Sequence, residues 1–195
     1  MRRTILLASV LALAVALASP ASADEPIPVT CTVTSIQKGW DVNGKEADEY
    51  WIEVVDGEEW LVHHGTGYFL AVGDTYCRGR WDIDGGWRVS PVPDPGVWPP
   101  PEGSEMYFSG EFTVWLNHGP LRGSGFIFEY EGELLYDYAR NRGWEWTVTY
   151  SEGFGPQLEG WAFSEDTVAY QHMFPPWGGE GPGFVFSGYV VPPDG

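Results

Sequence analysis

An all-β fold is predicted, and three observations predict it. Apolar and polar residues alternate with period two in short runs throughout the chain. Nearly every gap between runs carries Gly, Pro, Asn or Asp, the residues that turns require. Beyond the first 23 residues, no segment sustains the 3.6-residue apolar period of a helix.

Residues 1–23 read as a signal peptide and stand outside the fold. Arg2 and Arg3 form a basic start, Ile5 to Ala18 an apolar stretch, and Ala21-Ser22-Ala23 a small-residue cleavage site after Ala23. The apolar stretch is shorter than the roughly 20 residues a membrane span needs. Cys31 does not follow the cleavage site directly, and Pro192 to Gly195 supply no hydrophobic tail. The expectation is a secreted or periplasmic protein with no membrane insertion after cleavage. Two cysteines in an exported chain most simply form one disulfide, Cys31–Cys77. The alternative, two buried free thiols, conflicts with that compartment.

From Asp24 to Val92 the strands come in the following order. Val29 to Ile36 places Val29, Cys31 and Val33 on one face. Glu49 to Val55 and Glu58 to His63 are joined by Asp56-Gly57, a type I′ dipeptide. A two-residue loop sets Ile52 opposite Leu61, Glu53 opposite Trp60, and Trp51 opposite Val62. Residues 65–72 break the alternation and suit an irregular or helical connection. Thr75 to Asp82 follows, and Asp84-Gly85 turns it into Trp87 to Val92, with Trp81 facing Arg88. This order, with three strands, a connection and a hairpin, resembles the OB-fold, a five-stranded Greek-key barrel. OB barrels pair their first strand with their fourth, and the resemblance implies that those strands bring Cys31 and Cys77 together.

Six prolines crowd the positions from Pro91 to Pro101. Residues 93–104 therefore read as a semi-rigid linker between domains, with Trp98 either plugging a groove or exposed. Residues 105–195 read as a second antiparallel β-barrel or sandwich built as a meander. Met106, Phe108, Phe112, Val114 and Leu116 share a face, and Phe126 and Phe128 are in phase. Glu131-Gly132-Glu133 and Asn141-Arg142-Gly143 read as turns, after which Trp144, Trp146, Val148 and Tyr150 share a face. Gln157 to Phe163, Thr167 to Met173 and Phe184 to Val191 complete the unit, interrupted by a Gly/Pro loop carrying Trp177.

Charge excludes whole classes of partner. The formal charge is −18, and removal of Arg2 and Arg3 with the leader makes it −20. Such a surface repels phosphate backbones and anionic membranes, so no nucleic acid is expected as partner. Catalytic motifs are missing too. There is no G-x-S-x-G elbow, H-E-x-x-H or C-x-x-C. Adjacent His63 and His64 point to opposite faces of a strand and cannot share a metal ion, and His63 packing on Tyr50 explains its position. Asp82-Ile83-Asp84-Gly85 resembles the opening of a calcium loop but lacks the third acid and the distal Glu. No catalytic residue, metal site or cofactor is assigned.

The aromatic content is the feature that points to a function. Eleven Trp, ten Tyr and ten Phe exceed what two small cores need. Several lie out of phase with the buried faces, among them Trp51 and Trp60 beside Glu53, Trp115 and Tyr107, and Trp161, while Trp177 sits in a loop that could reach over a barrel mouth or tuck into its own barrel. Aromatic platforms edged with carboxylates suit sugar rings or cations. The competing explanation is that such faces pack between domains. The expectation is an exported, non-catalytic binding module with a glycan or protein ligand. One alternative is a secreted carbohydrate-active hydrolase using two of Glu111, Glu129, Glu131, Glu133, Glu145 and Glu159. The other is a carrier with an apolar cavity inside the second barrel.

Overall fold

The computed structural model describes residues 25–35, 49–94, 100–172 and 183–193. Residues 1–23, read above as a signal peptide, and Trp98 and Trp177 lie outside the described residues. Among the described residues there are ten strands: β1 (Ile27–Ser35), β2 (Glu49–Val55), β3 (Glu58–Gly73), β4 (Gly79–Ser90), β5 (Glu105–Leu116), β6 (Ser124–Asp137), β7 (Arg142–Phe154), β8 (Ala162–Phe163), β9 (Val168–His172) and β10 (Gly183–Val191). A short 3₁₀ turn at Gly119–Leu121 is the only helical element among the described residues.

The sheet runs β1-β10-β9-β7-β6-β5-β4-β3, and β1 pairs with β3 to close it into an eight-stranded antiparallel barrel. β2 adds to the first half of β3, outside the ring, and β8 to the end of β10. The hairpin at Asp56-Gly57 has the predicted form. Both residues have positive φ, 53° and 89°, and the register pairs Ile52 with Leu61, Glu53 with Trp60 and Trp51 with Val62.

The division into two β units is not what the chain adopts. β4 and β5, on either side of the proline stretch, pair continuously from Arg80–Trp115 to Ser90–Glu105. The proline stretch is thus the connection of one long hairpin. The Tyr136 hydroxyl pins it, lying 2.6 Å from the Pro100 carbonyl oxygen and 2.8 Å from that of Pro101. The strand pairing that the OB resemblance implies is also replaced. β1 pairs with β3 and β10, Cys31 lies opposite Gly73, and Cys77 sits in the turn that precedes β4. Cys31 and Cys77 are nonetheless bonded.

Three expected interruptions are strand instead. Residues 65–72 continue β3, with Phe69 and Ala71 inward and Leu70 and Val72 exposed. Those outward apolar side chains hid the alternation. Asp84-Gly85 lies inside β4, where Gly85 faces Gly65 on one side and Gly110 on the other. A Cβ on Gly85 would stand 2.7 Å from the Ser109 carbonyl oxygen and 2.8 Å from the Gly110 Cα. The glycine here permits strands to approach, a use in coiled sheets that mimics a turn signal in sequence. Glu131-Gly132-Glu133 likewise lies inside β6, where a Cβ on Gly132 would strike Trp146. A register shift between β6 and β7 at Glu129/Tyr130 pairs Tyr130 with Val148 and Glu129 with Tyr150. That bulge turns Tyr150 outward, away from the face it was expected to share with Trp146 and Val148.

One core fills the barrel, and both halves of the chain build it. Trp81 of β4 is fully buried, with Phe128, Phe112, Phe184 and Phe186 edge-on around it at 4.8–5.9 Å. Its indole N–H donates to the Cys77 carbonyl at 2.8 Å. Trp81 therefore does not face Arg88, which projects from the opposite side of β4. Eight-stranded barrels are just wide enough for side chains to fill, and here rings fill the interior.

Candidate functional site

The row Gly65–Gly85–Gly110 crosses β3, β4 and β5 and ends at Tyr130 of β6. The Tyr130 side chain is buried and its hydroxyl occupies the space the glycines leave. Burial first, and the Asp84 carboxylate second, hold that phenol protonated far above its ordinary range. One step nearer the β2 end, the register aligns His64, Gly86, Ser109, Glu131 and Thr147. The next outward row is Trp51, Val62, Arg88, Tyr107, Glu133 and Glu145. These two rows line a groove of about 630 Å³, to which Trp87, Phe108 and Trp146 also contribute.

Its aromatic side is held in place from beneath. The Arg88 guanidinium lies 5.2 Å from the ring centres of both Trp60 and Tyr107, which are 5.8 Å apart. Cation–π contacts of this kind stabilise by about 0.5–2 kcal/mol each and fix both rings. Tyr107 is 38% exposed and Trp51 44%, and both line the groove. The polar side is acidic. Glu133 and Glu145 are direct cross-strand neighbours, and Arg142 donates to Glu145 at 2.8 Å. His64 Nε2 lies 3.0 Å from Asp84 Oδ1.

The candidate residues read from sequence do not converge on one place. Trp51 lines the groove, and Glu53 is exposed beside it on β2. Trp60, expected to offer a stacking face, is instead 6% exposed, covered by Arg88 and Tyr107. Trp115 sits on the outer wall at the other end of β5, against Phe154 and donating to Asp82 Oδ2 at 2.8 Å. Trp161 is half-buried, stacked on Tyr76 at 5.7 Å. His63 packs on Tyr50 at 4.6 Å, while His64 is exposed on the opposite face. Among the described residues, no group of three or more His, Cys, Asp or Glu is placed to hold a metal ion.

No protein-family model, curated protein or solved structure matches this chain. The groove must therefore be read from its own chemistry. Arg88, Ser109 and Thr147 carried no sequence signal as site residues. They become legible only once β4 and β6 are taken as continuous through Gly85 and Gly132. No helix among the described residues is long and apolar enough to cross a membrane.

Proposed function

We propose that this is an exported, non-catalytic binding module that takes a carbohydrate chain in the groove spanning β2 to β7. The observation carrying this reading is the pairing of exposed ring faces, Trp51 and Tyr107, with hydroxyl and carboxylate groups from Ser109, Thr147, Glu131 and Glu133 in one concavity. Sugars present apolar ring faces ringed by hydroxyls, and such a surface complements them. A volume of about 630 Å³ falls within the range of ligand sites. A ring-filled barrel interior weighs against an internal carrier cavity, and the acidity of the chain weighs against nucleic acid.

One observation favours the hydrolase as a second reading. Glu133 and Glu145 are adjacent on the groove, although Glu145 is engaged by Arg142. Turnover of chromogenic glycosides, abolished by Glu133→Gln, would establish it.

The binding reading is tested by tryptophan fluorescence across a panel of soluble polysaccharides. A saturable shift is expected, weakened about tenfold by Trp51→Ala through loss of a stacking face. No shift across the panel, or an unchanged affinity in Trp51→Ala, would refute it. Saturation by extended peptides alone would move the ligand class to protein.

A further inference from the structure

The balance of charge inside the groove narrows the ligand, granted the carbohydrate reading above. Its bases are largely engaged. The Arg88 guanidinium faces the Trp60 and Tyr107 rings, His64 is beside Asp84, and Arg142 is committed to Glu145. Glu131 and Glu133 have no ion-pair partner among the described residues. Glu133 also stands directly opposite Glu145, whose charge Arg142 meets, so the uncompensated carboxylates of this wall are Glu131 and Glu133. A bound ammonium pairs with these two carboxylates, and the exposed rings beside them attract it by their π-faces.

We propose that the groove selects sugars bearing free, protonated amines over neutral or N-acylated sugars. The ammonium sits against Glu131 and Glu133, and the pyranose face lies on Trp51 or Tyr107. The formal charge of −18 draws such a ligand in over long range, but this general attraction cannot distinguish one site from another.

The test compares a glucosamine tetramer, its fully N-acetylated counterpart and a glucose tetramer, by titration calorimetry at near-physiological salt. The amine tetramer is expected to bind at least about tenfold tighter than the other two. Glu131→Gln and Glu133→Gln are each expected to weaken it about fivefold, leaving the N-acetylated tetramer nearly unaffected. Glu133→Gln should leave the melting temperature unchanged, since Glu133 is exposed and gives up no ion pair, so lost affinity cannot be ascribed to misfolding. Glu159→Gln, on an exposed turn outside the groove, removes the same charge and should change nothing.

Equal affinity for amine and N-acetylated tetramers would overturn the proposal. So would a Glu159→Gln effect as large as that of Glu133→Gln, which would mark the attraction as generic. Tighter groove binding by a lysine tetrapeptide would assign the site to basic peptides and overturn it as well. If no tetramer of any kind binds, the carbohydrate reading itself fails, and the amine preference falls with it.

Discussion

Replacing Trp81 with alanine tests whether the chain is one cooperative barrel. The indole belongs to β4, yet the rings around it, Phe112, Phe128, Phe184 and Phe186, all come from beyond the proline stretch. Truncating a buried aromatic to Ala costs about 3–5 kcal/mol, and the neighbouring rings can only partly collapse into the space. Losing the indole donor to the Cys77 carbonyl adds about 1 kcal/mol. The sum, about 4–6 kcal/mol, corresponds to a fall in melting temperature of about 10–20 °C for a domain of this size. The assay is urea unfolding followed by near-UV dichroism, with amide hydrogen exchange read strand by strand. One transition is expected, moved to lower urea, with protection lost in β6 and β7 as much as in β3 and β4. Two transitions, of which only one moves, would show that the halves fold separately and would refute the shared core.

Other consequences follow from the same packing. Replacing Cys31 and Cys77 together by serine should lower stability by about 4 kcal/mol, the chain-entropy value for a loop of this length, measured by urea midpoint. Gly110→Ala should destabilise by about 3 kcal/mol or more, because the added Cβ meets the Gly85 Cα at 2.5 Å and the Asp84 carbonyl oxygen at 2.6 Å, backbone atoms that cannot move aside; a melting temperature within a degree of the parent would contradict the glycine row. The Tyr130 pKa is raised in the folded state, so its contribution is fully present below the ordinary tyrosine value of about 10 and is lost as pH rises above it. Stability should therefore fall above about pH 10, and Tyr130→Phe should flatten that slope in melting curves taken across the alkaline range.

What could be read in advance was whatever local chemistry dictates. Asp56-Gly57 gave the β2–β3 register because a two-residue turn with two positive φ values leaves no freedom in pairing. Met106 to Leu116 appeared as one inward face because nothing interrupts its alternation. Asp84-Gly85 and Glu131-Gly132-Glu133 misled for a shared reason. A glycine beside an acid has the same local signature whether the chain turns or another strand passes closely, and only the tertiary neighbours Gly110 and Trp146 decide. Closure of β1 on β3 and β10 is equally a long-range event that no local pattern encodes. The groove was hidden by the same two glycines. With β4 and β6 broken there, Arg88, Tyr107, Glu133 and Glu145 fall on unrelated elements, whereas continuous strands set them in one row.

The most direct test of the groove is to follow the tryptophan indole N–H signals by NMR during titration with an amine-bearing oligosaccharide. Trp51, Trp87 and Trp146 border the groove, while Trp81 is sealed in the core and Trp115 lies at the far end of β5. Binding in the groove should move the Trp51, Trp87 and Trp146 resonances together along one saturation curve and leave those of Trp81 and Trp115 in place. Movement centred on Trp115, or small drifts spread evenly over all indoles, would contradict it.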